Sequence, residues 1–284
     1  MYASRRGVPL YYEISGPSSG PPLLMLRGLA RTIRHWGSLL DELGSSFRLV
    51  VMDNRGAGLS GAPLPPYSTA EMADDAASVL EHAGIGQAAV FGVSLGGMIA
   101  QELCLRHPER VTRLILGCTR AGGRTGRATS RNATLALLGA LALPEARTLE
   151  RTAPFVLSPQ FLERHPEVLV EWQRIARERP MRRRGLLGQL SAALRHDTSL
   201  RLERIGVPVL VVSGDADRLI DAENSRYLAR AIRGARLELL PGAGHDIPTE
   251  RPLEIATLIR EFCMPPRSDG AGVLRAHDGG GAGC

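Results

Sequence analysis

The chain of 284 residues contains no lysine, so all 35 of its basic residues are arginines, and with 29 acidic residues its formal net charge is +6. This absence excludes enzymes that form a Schiff base on lysine and hydrolases that use a serine–lysine dyad. Alanine, glycine and arginine are all frequent, which indicates a G+C-rich genome. An arginine is therefore not, by itself, a sign of function.

Cysteines and aromatic residues are also scarce. Aromatic residues make up 4% of the chain, and the four cysteines are Cys104, Cys118, Cys263 and Cys284. The cysteines show neither paired nor metal-like spacing, so we expect no metal site. Cys104 and Cys118 fall in a predicted helix and a predicted strand, where they are expected in the core. With few aromatics and no recognisable binding module, nucleic acid is not expected as a partner.

Long apolar segments are missing as well. No run approaches the roughly 18 apolar residues of a membrane span, and no cationic start precedes a signal-like apolar stretch. We therefore expect a cytoplasmic protein with no membrane partner. Neither the phosphate-binding pattern Gly-x-x-x-x-Gly-Lys nor the dinucleotide-binding pattern Gly-x-Gly-x-x-Gly follows a strand, so no cofactor is expected.

The most informative segment is 92–97 (GVSLGG), which lies between an apolar, strand-like run at 88–91 and a helix-like segment at 98–105. A strand, a Gly-x-Ser-x-Gly turn and a helix form a nucleophile elbow, with the serine exposed above the sheet. This turn strains the serine backbone and leaves no room for larger side chains two positions away. Ser94 is therefore the candidate nucleophile, with Gly92 and Gly96 beside it.

An acid and a histidine follow in the order used by serine hydrolases of open α/β sheets. The strand-like run 208–212 leads into 213–217 (SGDAD), and the strand-like run 237–240 leads into 241–245 (PGAGH). Ligands of such sheets bind at the carboxyl ends of the strands. His245 would accept the serine proton, and a carboxylate would orient the imidazole. Local pattern favours Asp215 and Asp217 equally as this acid, while Asp221 is typical of a helix N-cap.

Over roughly residues 1–264 these motifs resemble the α/β-hydrolase superfamily. Segment 24–29 (LMLRGL) is similar to the family's first oxyanion segment, and 53–60 (DNRGAGLS) to its loop after strand 4. Within the superfamily, residues 53–56 with Gly28 and Trp36 look most like the bacterial group of aclacinomycin methylesterases and 3-oxoadipate enol-lactonases.

The resemblance implies an α/β-hydrolase fold, with a mostly parallel sheet flanked by helices and a helical cap between strands 6 and 7. The family's Gly-x-x-Asp pattern selects Asp217 as the acid. The family's oxyanion hole would be built from the backbone N–H groups of Leu29 and Leu95.

Three segments are expected: a hydrolase core at 1–120 and 205–264, a helical cap at 121–204, and a disordered tail at 265–284. Between residues 120 and 204 there are 16 arginines and 8 acidic residues. Such a basic cap would attract an anionic substrate or an acidic carrier protein, unless the arginines only form a solvated face.

Two further residues are candidates for substrate binding, Trp172 in the predicted cap and Arg27. Many relatives have histidine where this chain has Arg27. A guanidinium there must pair with an acid, a carbonyl or a substrate carboxylate, because an unpaired buried charge is costly.

The predicted function is hydrolysis of a small carboxylic ester or lactone through an acyl-enzyme. One alternative is a thioesterase, cyclase or eliminase acting on a carrier-bound or polyketide-type intermediate in secondary metabolism. A second alternative is a non-catalytic ligand-binding protein on the same fold. Ser94 argues against haloalkane dehalogenases, whose nucleophile is an aspartate.

Overall fold

The computed structural model describes residues 1–264 except 124, 140 and 144, so the predicted disordered tail lies outside the described residues. The strands of this part of the chain are β1 Tyr2–Arg5, β2 Val8–Ser15, β3 Pro22–Leu26, β4 Arg48–Met52, β5 Ala88–Val93, β6 Val111–Gly117, β7 Val209–Gly214 and β8 Arg236–Leu240. These eight strands form one sheet in the order β1-β2-β4-β3-β5-β6-β7-β8. Strand β2 is antiparallel to β1 and β4, and the strands from β3 to β8 run parallel.

Both faces of the central strands are buried, which explains why these strands read as continuous apolar runs in the sequence. Leu24 and Leu26 of β3 face one core cluster, whereas Leu23 and Met25 face the other. The described residues form eleven α-helices, which are α1 Leu39–Gly44, α2 Thr69–His82, α3 Leu95–Arg106, α4 Arg131–Gly139, α5 Glu145–Val156, α6 Pro159–Arg164, α7 Glu167–Glu178, α8 Arg183–Arg195, α9 Glu223–Ala231, α10 Ile247–Glu250 and α11 Pro252–Cys263. Helices cover both faces of the sheet, with α2, α3 and α9 on one side and α1 and α11 on the other.

The five helices α4 to α8 follow β6 and precede β7, and we refer to residues 131–195 as the helical insertion. The α/β-hydrolase fold expected from the sequence is confirmed. The boundaries expected for a separate cap, 121–204, stay a prediction. Among the described residues no helix combines the length and apolar character needed to cross a membrane.

Two short helical segments lie between β3 and β4. A 3-10 helix occupies Ile33–Trp36, and α1 begins only at Leu39. Between them Gly37 has φ +53°, a left-handed conformation that ends the first helix. Helix α2 begins after Ser68, whose hydroxyl accepts a hydrogen bond from the Glu71 N–H.

Helix α8 docks closely on the loop that follows β4. A Cβ on Gly185 would lie 2.1 Å from the carbonyl oxygen of Gly56, so two glycines allow the backbones to touch. A few residues further along α8, the Ser191 hydroxyl accepts from the backbone N–H of Tyr67 at 2.9 Å. The helical insertion is thereby fixed to the loop that leads toward the site.

Candidate active site

Ser94 lies in the strained turn between β5 and α3 that its motif predicts. Its backbone has φ 58° and ψ −121°, a region that residues with a side chain rarely adopt. A Cβ on Gly92 would lie 2.3 Å from the carbonyl oxygen of Gly96, and a Cβ on Gly96 would lie 2.0 Å from that of Leu26. Both glycines are therefore required by the close approach of the backbone.

His245 and Asp217 are joined by a hydrogen bond of 2.7 Å between Nδ1 and Oδ2, and both are buried. The other carboxylate oxygen, Oδ1, accepts from the backbone N–H groups of Leu219 and Ile220, which fixes the orientation of Asp217. Because the carboxylate accepts, Nδ1 of His245 carries the proton. The second nitrogen, Nε2, is then the one able to act as a base.

The two competing acids point elsewhere. Asp215 is exposed, and its Oδ1 accepts from the backbone N–H of Gly242 at 2.7 Å. Asp221 accepts from the backbone N–H of Glu223 near the start of α9 and pairs with Arg127. Of the three aspartates considered from the sequence, the structure joins Asp217 to His245.

The loop that carries His245 is held by the helical insertion. The carbonyl oxygen of Val156, at the end of α5, accepts from the backbone N–H groups of both His245 and Asp246. Beside it, the buried carboxylate of Glu250 accepts from the backbone N–H and the hydroxyl of Ser158, each at 2.7 Å. These hydrogen bonds join the middle of the insertion to the histidine loop.

The segment after β3 passes directly against the elbow. A Cβ on Gly28 would lie 3.1 Å from Cβ of Ser94. Leu29 and Leu95, whose N–H groups are the candidate oxyanion donors, line the same cavity as Ser94. Leu95 is the first residue of α3, where backbone N–H groups lack partners within the helix. The structure thus brings the predicted nucleophile, Ser94, and the two predicted oxyanion residues, Leu29 and Leu95, to the same cavity.

Two buried amide side chains hold this segment, and sequence reasoning missed both roles. The Gln189 Oε1 atom, on α8, accepts from the backbone N–H of Ala30 at 2.9 Å, and its Nε2 donates to the carbonyl oxygen of Arg55. Asn54 donates from Nδ2 to the carbonyl oxygen of Arg27. Ala30 adopts φ +57°, a strained conformation that the Gln189 hydrogen bond helps to maintain.

Arg27 is buried, and it pairs with an acid. Its two terminal nitrogens donate to the two carboxylate oxygens of Asp246, both at 3.0 Å, and its guanidinium lies 4.8 Å from the ring centre of Trp36. Burial alone would raise the pKa of Asp246, but the charges of Arg27 and Arg31 outweigh burial and lower it. The Arg27 side chain is therefore committed to an ion pair beside His245, although it also lines the cavity.

Trp172, on α7, lies in the cavity wall and is buried. The guanidinium of Arg31 stacks 3.7 Å from the centre of its ring, a favourable cation–π arrangement. His35 lies nearby, and its Nδ1 accepts from the backbone N–H of Thr32 at 3.1 Å. Burial, reinforced by Arg31 and Arg27, lowers the pKa of His35 far below its usual value, so this ring is neutral.

These residues surround a cavity of about 620 Å³, and helices of the insertion supply much of its aliphatic lining. Four arginines but a single carboxylate line it among the described residues. The charged lining residues are Arg27, Arg31, Arg120, Arg183 and Asp246. Such a volume, mostly apolar with a few converging polar groups, is typical of a small-molecule site.

Cys118 lies next to Asp217 and His245 and is buried, as predicted for a core residue. Its sulfur, an oxygen of Asp217 and a nitrogen of His245 lie within 4.8 Å of one another. Burial, and to a smaller extent Asp217, raises the pKa of the Cys118 thiol well above its usual value. Metal binding here would require a thiolate and the loss of the Asp217–His245 hydrogen bond, so the group does not favour an ion.

Comparison with known proteins extends over most of the chain. Residues 21–252 match a family described as alpha/beta hydrolase fold. An Azorhizobium caulinodans protein named "Putative carbamate hydrolase RutD" is 31% identical over 265 residues, 92% of this chain and 97% of the relative. The 3-oxoadipate enol-lactonase 2 of Acinetobacter baylyi is 27% identical over 245 residues, 86% of this chain and 89% of the relative.

A solved structure shows the same similarity. The enol-lactonase of Burkholderia xenovorans LB400 has a TM-score of 0.84 and 26% sequence identity, and the match covers 93% of this chain and 99% of that chain. The family match includes the helical insertion as well as most of the sheet.

Proposed function

Because this chain belongs to the α/β-hydrolase family and is an enzyme of its enol-lactonase-like bacterial group, we propose that it cleaves a carboxylic ester or lactone. The reaction would pass through an acyl-enzyme on Ser94. The observation that carries this proposal is the hydrogen bond between His245 Nδ1 and Asp217 in the wall of the cavity that Ser94 also lines.

In the first half-reaction the Ser94 oxygen attacks the carbonyl carbon while His245 Nε2 takes the hydroxyl proton. Asp217 holds the ring and stabilises the imidazolium. The carbonyl oxygen becomes negatively charged between the backbone N–H groups of Leu29 and Leu95. The carbon–oxygen bond to the leaving group then breaks, and His245 gives its proton to the departing alkoxide.

In the second half-reaction water attacks the acyl carbon and passes a proton to His245. The ester bond to Ser94 breaks, the serine oxygen regains a proton from the imidazolium, and the carboxylic acid leaves. For a lactone the alcohol and acid remain parts of one opened chain. Neither half-reaction draws on a lysine, which agrees with the composition.

The substrate side of the proposal follows from the cavity. Residues of the insertion, among them Leu137, Leu149, Trp172 and Leu186, line the same cavity as Ser94 and His245, so the insertion would act as the cap that selects the substrate. The aliphatic lining supports a small substrate with an apolar acyl or alcohol part. The relative named 3-oxoadipate enol-lactonase 2 supports cleavage of a lactone or ester bond.

A fluorophosphonate probe followed by mass spectrometry tests the proposal. The wild-type chain and the exposed-site control Ser19→Ala should be labelled at Ser94, whereas Ser94→Ala should remain unlabelled. Turnover of p-nitrophenyl acetate by Ser94→Ala should fall by about 10⁴ to 10⁶-fold, because the three groups act as a unit. Labelling of Ser94→Ala, or turnover near the wild-type rate, would show that Ser94 is not the nucleophile.

A further inference from the structure

Arg120 is a cavity residue that the mechanism above does not use. It follows β6 by three residues, next to Thr119, whose hydroxyl donates to the carbonyl oxygen of Ser94 at 2.8 Å. From there its side chain reaches α8, where one terminal nitrogen donates to the carbonyl oxygen of Ala193 at 3.3 Å. Arg120 thus lies between the elbow and the helical insertion, in the wall of the cavity.

The charge of Arg120 is not neutralised by any carboxylate in the described part of the chain. Arg120 forms no ion pair with an acid among the described residues, and its buried Nε has no hydrogen-bond partner. A titratable neighbour of Arg120, His196, is neutral, because burial and Arg120 lower the pKa of His196 to about 3. Burial lowers the pKa of Arg120 too, with no opposing contribution from an acid.

Arg27, which is buried, shows how a guanidinium charge in this cavity is paired with a carboxylate, although its Nε also has no hydrogen-bond partner. Arg27 makes two hydrogen bonds of 3.0 Å to Asp246. Elsewhere Arg55 and Arg201 likewise pair with the buried carboxylates of Asp75 and Glu102. Buried guanidinium groups are normally paired, since an isolated charge away from water is costly. Arg120 is partly buried and has no such carboxylate, at a place in the cavity wall where a ligand has room to approach.

We propose that Arg120 binds an anionic group of the substrate, a carboxylate, while the ester or lactone carbonyl lies at Ser94. The inference rests on the proposed function and narrows its substrate class to esters or lactones that bear an acid. A planar guanidinium forms parallel hydrogen bonds with a carboxylate, which would also satisfy Nε. The aliphatic lining between would hold the carbon chain that separates the two groups.

Matched ester pairs test this assignment. Mono-p-nitrophenyl adipate carries a terminal carboxylate, and p-nitrophenyl hexanoate has the same chain without the acid; succinate and suberate monoesters with their neutral counterparts vary the length. Wild-type kcat/KM should be higher for the charged member of at least one pair. Arg120→Met should reduce that preference about ten- to a hundredfold, the value of a hydrogen-bonded charge.

Two variants serve as controls for the pairs. Arg195→Met removes the same charge from an exposed position on α8 and should keep the wild-type preference. Arg120→Lys keeps the charge without the planar fork and should retain part of it. Equal losses on both esters in Arg120→Met would mean that Arg120 only supports packing. Absence of any wild-type preference for the charged esters would also overturn the assignment.

A binding measurement separates this inference from the proposed reaction. By calorimetry, Ser94→Ala should bind hexanoate more tightly than hexanamide, and addition of Arg120→Met should remove the difference. Loss of the difference with Arg120→Met, without any ester turnover in the wild type, would retain the subsite and refute the hydrolase assignment. Turnover of neutral esters, without tighter binding of hexanoate than of hexanamide, would retain the hydrolase assignment and refute the carboxylate subsite at Arg120.

Discussion

Arg27 and Asp246 join two distant parts of the site through a buried, bidentate ion pair with both hydrogen bonds at 3.0 Å. Arg27 precedes the candidate oxyanion segment, and Asp246 follows the candidate base, His245. The pair is separated by 219 residues in the sequence. The ion pair therefore fixes the backbone around Leu29, the proposed oxyanion donor, relative to the imidazole of His245.

Removal of either partner should destabilise the protein, but unequally. Asp246→Asn leaves Arg27 buried beside Arg31, whose Nε lies 4.0 Å from Asp246. Arg27→Met leaves the carboxylate one remaining cation. Breaking a buried pair costs about 3–5 kcal/mol, and we expect Asp246→Asn at the upper end. Urea unfolding measures both, and the double variant should recover part of the loss. A larger loss for Arg27→Met would contradict this order.

The same pair predicts a pH dependence of stability. The pKa of Asp246 in the folded chain is lowered, because the arginines outweigh the effect of burial, so unfolding raises it toward about 4. The stabilisation is therefore complete above about pH 4 and is lost as the pH falls through the lower folded value. Thermal melts should show the advantage of the wild type over the Arg27→Met, Asp246→Asn double variant shrinking below pH 4. A constant advantage down to the acid limit would be inconsistent with the pair.

Asp217 should matter far more than Asp215. Asp217→Asn keeps the size of the side chain but removes the carboxylate that orients His245, and turnover should fall about 10⁴-fold, as for triad aspartates elsewhere. Asp215→Asn is the matched control, since its carboxylate only accepts from Gly242. Circular dichroism checks that both variants fold. If Asp215→Asn is the more damaging change, the roles must be exchanged.

Gln189 should affect turnover more than substrate binding, because it holds Ala30 next to the proposed Leu29 donor. Gln189→Met has nearly the same volume and removes both hydrogen bonds. Loss of one oxyanion donor costs about 10²–10³ in kcat, which sets the upper limit for this variant. Ser191→Ala, on the same helix, breaks the contact with Tyr67 and a hydrogen bond to the Gly188 carbonyl oxygen within α8, and leaves Ala30 held. A similar fall in kcat for both variants would indicate general loosening of α8.

The exposed arginines at the start of α8 test whether long-range charge recruits an anion or an acidic carrier protein. Arg182 and Arg184 should be reversed to Glu together, and Arg183 separately, because Arg183 also lines the cavity. If they recruit charge, kcat/KM for a charged ester falls and the salt dependence weakens, since the Debye length is about 8 Å at physiological salt. If kcat/KM and its salt dependence do not change in the double variant, Arg182 and Arg184 only form a solvated surface.

Local patterns predicted much of the fold and the places of Ser94, Asp217 and His245. Each lies at the carboxyl end of a strand whose apolar run and flanking glycines are visible in the sequence. The partner of Arg27 and the role of Gln189 were not predictable in this way. Their contacts join segments 219 and 159 residues apart, and nothing near either residue indicates its partner. Only packing of the insertion on the sheet brings them together.

Arg120 was hidden for a different reason. Because every basic residue of this chain is an arginine, the presence of an arginine at position 120 does not indicate a function. Only the structure shows that no carboxylate of the described residues pairs with it.

Because Val156, Ser158 and Gln189 of the helical insertion form hydrogen bonds with the active-site loops, the insertion cannot be replaced by that of another protein without disturbing those loops. A chimera that receives another protein's insertion would inherit a new substrate preference together with new anchors for the histidine loop and for Ala30. Exchange of the insertion should therefore change substrate preference and turnover rate together. Grafts that retain these three residues should preserve turnover better than grafts cut at the helix ends alone.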